Sequence, residues 1–195
     1  MLVQSPLTLY GKNVILRPLD KIHLDELTKL AADKKIWQYA PESLYKPEVF
    51  QKKWLDKAIR QQDDKRRVCF VIFQNNKIAG STSYYDIDTD IKTLNIGYTW
   101  FPPAFWGTHL NAVAKLILLN HAFDTLKFNR VVFSVDSENV RSCSALQKLG
   151  VKQKEILRDH FVLSNGRVRH SAIFVITRSE WPEIKKQIEM KIKLL

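Results

Sequence analysis

The chain has 195 residues, 45% of them hydrophobic and 26% charged, a length and balance that suit one globular unit spanning 1–195 and exclude a fibrous, disordered or repeat-built protein. Thirty-one Lys and Arg against 20 Asp and Glu leave a formal charge of +11 and a pI near 9.6. That balance favours an anionic partner, whether nucleic acid, an acidic membrane surface or a phosphorylated small molecule, and does not choose among them.

In chain order, residues 1–6 carry no charged-then-apolar leader pattern, and no apolar run approaches the length of a membrane span, so a soluble cytoplasmic protein is expected. Val14, Ile15 and Leu16 within 13–17 read as a strand that Pro18 closes. Leu24, Leu27, Leu30 and Ala31 repeat at helical spacing, and 37–41 break that helix. A second helix over 47–62 has Pro47 in its first turn, with Val49, Phe50, Trp54 and Ala58 as its inner stripe. Strands at 68–73 and 78–85 flank Gln74-Asn75-Asn76-Lys77, whose asparagines tolerate positive φ, so an antiparallel hairpin is expected.

After a polar loop at 86–92, a strand over 93–101 is stopped by Pro102-Pro103. The helix that follows runs to about Leu126 with a polar stripe of only Asn111, Lys115 and Asp124, as expected of a helix packed on a sheet. The strand at 130–135 completes a strand–helix–strand unit and hence a parallel crossover. A short helix opens over 137–142 and ends at Gly150. Strands at 154–164 and 167–177 flank Asn165-Gly166, the strongest hairpin signal in the chain, and a last helix runs from Arg178 to near Leu195. A two-residue turn there sets Phe161 opposite His170 and Asp159 opposite Ala172, leaving Asp159 and His170 as diagonal neighbours.

The excess charge is scattered. It is heaviest on 46–67, with eight basic and four acidic residues, and the longest basic run is Lys65-Arg66-Arg67. Most of it reads as solvated surface. Cys69 and Cys143 have no metal spacing and read as buried, reduced thiols.

The phrases Asn95-Ile96-Gly97-Tyr98, Trp106-Gly107-Thr108-His109-Leu110-Asn111 and Asn139-Val140-Arg141-Ser142 leading to Lys148-Leu149-Gly150, with the hairpin around Asn165-Gly166 and the closing Arg178-Ser179-Glu180-Trp181, stand in one order. In that order the chain resembles the GNAT superfamily of acetyl-CoA-dependent N-acetyltransferases, particularly its ribosomal-protein N-terminal acetyltransferase branch. The resemblance covers nearly the whole chain. It implies an α/β (α+β) fold, a mixed and mostly antiparallel sheet of about seven strands with a splayed parallel central pair and flanking helices. It also implies acetyl-CoA as acetyl donor, with no metal, and a primary amine as acceptor: a peptide N-terminus, a polyamine or another small amine.

The turn 107–111 at a helix start offers free N–H groups and a positive dipole end to the coenzyme's phosphates, so Trp106, Gly107, Thr108, His109, Leu110 and Asn111 are cofactor-binding candidates. The family usually has glycine where His109 and Asn111 stand; main-chain donors survive either side chain. Thr108 has the alternative of a plain helix cap and His109 of a surface residue. If the strand at 93–101 splays from its parallel neighbour, free backbone groups at Trp100 and Phe101 can pair with the coenzyme's amide-rich arm as an added strand would. By resemblance, a backbone N–H there polarises the thioester carbonyl.

Also by resemblance, Asn139 holds the pantetheine arm; its alternative is a helix cap. Leu146 stands where many relatives use a tyrosine to protonate the leaving thiolate; by the same resemblance Ser142 occupies a serine position given that duty in the ribosomal-protein branch, which makes it the candidate general acid and a second cofactor contact, the alternative being a hydroxyl bonded into its own helix. The family's glutamate base is replaced by Asn95, leaving Asp86, Asp88, Asp159, His160 and His170 as candidates. Arg141 and Lys148 could meet phosphates. The loops at 37–45 and the final hairpin would shape the acceptor pocket.

Two other classes stay open: a coenzyme A-binding sensor that has lost catalysis, and a basic RNA- or ribosome-binding protein. The second needs Lys52, Lys53, Lys57, Arg60, Lys65, Arg66 and Arg67 on one continuous face, which Asp56, Asp63 and Asp64 interrupt. Nucleic acid and membrane are therefore not the expected partners, and the sequence leaves a homodimer open.

Overall fold

A computed structural model describes residues 7–40, 43–163 and 165–193. The expectations placed on residues 1–6, Pro41, Ser164 and Leu195 lie outside them.

Eight strands form one sheet in the order β1-β2-β3-β4-β5-β6-β8-β7. They are β1 (Leu9–Gly11), β2 (Val14–Pro18), β3 (Arg67–Gln74), β4 (Lys77–Asp88), β5 (Thr93–Trp100), β6 (Arg130–Asp136), β7 (Lys152–Val162) and β8 (Val168–Thr177). Every adjacent pair is antiparallel except β5 with β6. The strand beyond the expected seven is β1, whose three residues are too few to show an alternation. At the β3–β4 turn Asn75 and Asn76 take φ of 49° and 63°, the left-handed pair that a two-residue hairpin demands.

Helices cover both faces. On one lie α1 (Leu24–Leu30) and a continuous helix made of α2 (Pro47–Val49), a π turn at Phe50–Leu55 and α3 (Asp56–Asp63). On the other lie α4 (Leu110–Asn120), which runs on through a π turn at His121–Thr125, and α6 (Trp181–Lys193). Alternation along β3 divides the core: Phe70 and Ile72 pack with Leu118 and Phe123, while Cys69, Val71 and Phe73 pack with Phe50, Trp54 and Leu55. The short α5 (Val140–Lys148) follows β6, and Gly150 beyond it takes φ of 82°.

Two expectations are corrected. The last hairpin has no two-residue turn. Val162 pairs with Val168 and Phe161 with Arg169, while Leu163 N–H donates to Arg167 O and Asn165 Oδ1 accepts from Arg167 N–H, so the two strands part before Asn165-Gly166. Ala172 pairs with Ile156, and a bulge between Leu157 and Phe161 holds Asp159 at φ of 50°. The second correction is Lys115, which belongs to no polar stripe: it is 6% exposed, donates to Thr99 Oγ1 at 3.3 Å and lies 5.4 Å from the Phe133 ring centre.

Burial disfavours the charged ammonium and brings the Lys115 pKa down to about 8. The folded state therefore releases this proton before the unfolded chain does, and Lys115 detracts from stability below pH 8, with stability recovering as pH rises toward the unfolded value. Lys115→Met is expected to raise the unfolding free energy at pH 7 by up to roughly 3 kcal/mol, a gain that fades near pH 10. Urea melts of both proteins at the two pH values check this.

Candidate active site

β5 and β6 are hydrogen-bonded neighbours only where Thr93, Leu94 and Asn95 meet Arg130, Val131 and Val132. Beyond that point each follows its other partner. β4 keeps β5 through Ser83 with Gly97 and Ser81 with Trp100, and β8 keeps β6 as far as Asp136 with Ser171. A bulge at Tyr98, with φ of 51°, bends β5 away. Gly80 permits the close approach that holds the bent end: a Cβ there would stand 2.2 Å from the Trp100 carbonyl oxygen. The parting leaves a wedge whose β5 edge, from Ile96 to Trp100, has no strand beside it.

The turn before α4 sits after this edge. Gly107 has φ of 77°, and a Cβ added there would meet nothing within 4 Å, so the glycine serves backbone conformation and the space in front of it is open. Thr108, just before the cap residue His109, ties the turn to the helix start: its Oγ1 accepts from Leu110 N–H at 3.3 Å and donates to Phe105 O. The N–H groups of His109, Asn111 and Ala112, and the side chains of His109 and Asn111, have no hydrogen-bond partner among the described residues. Leu110 is fully buried and contributes backbone only. Trp106 braces the turn, its Nε1 donating to Phe101 O at 2.9 Å. That bond occupies the Phe101 carbonyl, so the backbone expected to be free there is free only in part. Trp100 turns its indole into the aromatic core on the opposite face and Phe101 packs toward α4.

The start of α5 joins this group through Arg141, whose guanidinium carbon lies 3.5 Å from the Trp106 ring centre. Burial there holds the Arg141 pKa below its ordinary value. Asn139 is the cap of α5, its Oδ1 accepting from Ser142 N–H at 3.1 Å. The Ser142 hydroxyl is half-buried and has no partner among the described residues, so it is not bonded into its own helix. Lys148 lies at the far end of α5, where its carbonyl accepts from Lys191 Nζ.

Among the candidate bases, Asp86 is exposed and accepts from Asn95 Nδ2 at 3.0 Å, and Asp88 caps its own loop through the N–H groups of Asp90 and Ile91. His160 Nδ1 lies 3.0 Å from Ser171 Oγ. The bulge, rather than a diagonal pairing, brings Asp159 to His170, its N–H donating to Nδ1 at 3.0 Å. Lys34, Trp37, Gln38, Tyr45 and Asn165 line a cleft of about 270 Å³. A cleft of similar size beside Tyr10 and Asn76 lies at the other end of the sheet.

Sequence reasoning placed Phe50 and Trp54 on an inner helix stripe and singled out Trp37 and Trp100, but it did not foresee that the four rings meet in one cluster or that Arg67 is buried beside it. Arg67 is 2% exposed, and its phase with Cys69, Val71 and Phe73 was the available signal. Its inward turn, with Arg66 paired to Asp64, breaks the basic face that a nucleic-acid reading needs. Cys69 is buried as expected and Cys143 only partly; both are free thiols. No helix of the described residues is long and apolar enough to cross a membrane, and no group of metal ligands occurs among them.

Residues 13–152 match the family described as Acetyltransferase (GNAT) domain. The chain is similar to "Putative ribosomal N-acetyltransferase YdaF" of Bacillus subtilis (strain 168), 22% identical over 145 residues that cover 74% of this chain and 78% of that protein. Its fold is similar to a GCN5-related N-acetyltransferase from Brucella melitensis (TM-score 0.85, 26% identity, 96% of this chain and 86% of that one). It is also similar to Mycobacterium smegmatis RimJ, solved in complex with CoA-disulfide (TM-score 0.80, 16% identity, 96% and 95% covered).

The cap at α5 can be weighed separately from any ligand. Asn139→Ala is expected to lower the unfolding free energy by about 1 kcal/mol, and Asn139→Asp, which retains a capping oxygen, by no more than a few tenths. Denaturant melts without ligand distinguish the two.

Proposed function

Because the chain belongs to the GNAT acetyltransferase family, whose members use acetyl-CoA, we propose that it transfers the acetyl group directly to a primary amine, with donor and acceptor bound together. The observation that carries this is the wedge between β5 and β6, which opens beside the helix starts of α4 and α5. The Ile96–Trp100 backbone edge offers groups for an amide-bearing arm, and the N–H groups of His109, Asn111 and Ala112 offer donors for a pyrophosphate. Arg141, beside Trp106, adds a charge for the same anion. The coenzyme supplies an activated thioester; the chain supplies alignment, a backbone N–H toward the developing oxyanion and a proton for the departing sulfur.

Ser142 is the proton donor in this scheme. Its hydroxyl is half-buried, has no partner among the described residues and stands in the first turn of α5, and Leu146 offers no phenol in its place. The Asp159–His170 pair adjoins the C-terminal end of β6, where His170 O accepts from Ser137 N–H at 2.9 Å, and is the best-placed acceptor of the amine's proton. The amine enters through the cleft at Trp37, Tyr45 and Asn165, a place compatible with a peptide N-terminus. A ribosomal-protein terminus is the acceptor suggested by the name of the Bacillus subtilis relative. The chain acts as one unit in the cytoplasm.

Steady-state release of free thiol from acetyl-CoA, over a panel of peptide and small amines, tests the reading. Intersecting initial-velocity lines are expected, and parallel lines would contradict a ternary complex. Ser142→Ala should lower kcat by about 100-fold or more while acetyl-CoA binding, measured by calorimetry, changes little by comparison. Tight coenzyme binding with no turnover of any amine would favour the sensor.

A further inference from the structure

Arg67 opens β3 and is turned onto the aromatic face of the sheet, 2% exposed. Its Nε donates to Ser83 Oγ at 2.8 Å, and one Nη reaches the weakly accepting Cys69 Sγ at 3.8 Å. Its central carbon lies 3.8 Å from the Tyr98 ring centre and 5.2 Å from that of Trp54. No carboxylate of the described residues lies within ion-pair distance of it. Arg167, with a side chain 27% exposed, is by contrast paired to both Asp136 and Glu138.

Burying a cation without a partner is strongly unfavourable unless something else supplies negative charge. The π faces of Tyr98 and Trp54 offset part of that. They leave the donors only partly met: a guanidinium has five N–H groups, and among the described residues Ser83 and Cys69 take one each. A second unmet donor stands nearby. Trp100 Nε1 is buried with no acceptor among the described residues, and the Trp100 ring lies 5.9 Å from the Trp54 ring that also faces Arg67.

Guanidinium and indole N–H can only donate, so their chemical complement is an oxyanion. Access follows from the same cluster. Trp37 lies 5.4 Å from Trp100 and is itself a wall of the cleft that holds Lys34 and Asn165. Trp100 also ends β5, so its ring stands directly behind a wall of that cleft.

We propose that Arg67 and Trp100 Nε1 receive a carboxylate carried by the amine acceptor, which makes the substrate class an amino acid or acidic peptide rather than a polyamine. The inference rests on the acetyl-transfer reading and narrows it. A polyamine would bring more positive charge to a buried cation that has no carboxylate beside it among the described residues.

The test is thiol release from acetyl-CoA with ω-amino acids of increasing chain length and with Ser-Glu and Ser-Gln peptide amides, each carboxylate set against its carboxamide. The wild-type protein should favour at least one carboxylate over its carboxamide by about 10- to 100-fold in kcat/KM. In Arg67→Met that ratio should collapse, chiefly through KM, and Arg67→Lys should restore part of it. If Arg67→Met does not fold, Trp100→Phe carries the same comparison by removing the indole donor while keeping a ring. Equal turnover of acid and amide by the wild type, or losses in Arg67→Met that fall on both alike, would overturn the proposal and leave acetyl transfer standing. Turnover of no amine would overturn acetyl transfer instead; calorimetry of the same pairs with coenzyme A present then decides, a wild-type preference for acids abolished in Arg67→Met sustaining the carboxylate site and its absence removing it.

Discussion

A parallel strand pair that stops after three residues is the constraint on which the rest of this structure depends. Each strand is held by its other neighbour, β5 by β4 and β6 by β8, so neither can follow the other once the bulge at Tyr98 has turned β5 aside. Backbone groups inside a fold need partners. A sheet that leaves a run of them along one edge, beside a helix start where the N–H groups of His109, Asn111 and Ala112 are also unmet among the described residues, offers the complement of a chain of amides and phosphates. The bond from Leu110 N–H to Thr108, the brace from Trp106 to Phe101 and the contact of Arg141 with Trp106 hold the starts of α4 and α5 together.

The two faces of the sheet divide the work. On the α4 side, Tyr84 donates to Leu118 O at 2.6 Å, and the apolar packing around it positions the helix that would carry the phosphates. On the α1–α3 side the packing is aromatic, and it encloses the donors of Arg67 and Trp100. The charge excess of 46–67 thus has one inward member. The others do not join into a nucleic-acid face, because Arg67 is buried and Arg66 is bound to Asp64.

Much of this was legible in the sequence where local chemistry decides the outcome. The Asn75-Asn76 turn, the Pro102-Pro103 stop and the crossover from 93–101 to 130–135 follow from positive φ, a missing N–H and chain length, and they place the wedge. The last hairpin was misread because Asn165-Gly166 is a strong turn signal that tertiary context overrode: the strands part before it, Asn165 accepts from Arg167 N–H, and the bulge at Asp159 absorbs the changed register. Lys115 and Arg67 were misplaced for a related reason. A charged residue in an apolar pattern reads as surface, whereas here each is in phase with the core and is held by hydroxyl groups and rings instead of carboxylates. Ser142 and Asn139 were found by resemblance, and only the structure separates the capping oxygen of one from the free hydroxyl of the other.

Amide hydrogen exchange with and without acetyl-CoA measures the central claim most directly, because the claim concerns backbone groups. Protection is expected at His109, Asn111 and Ala112 and along the Ile96–Trp100 edge, with little change on the helix at 47–63. Unchanged exchange at those amides under saturating coenzyme, or protection confined to that helix, would contradict the wedge as the coenzyme's seat.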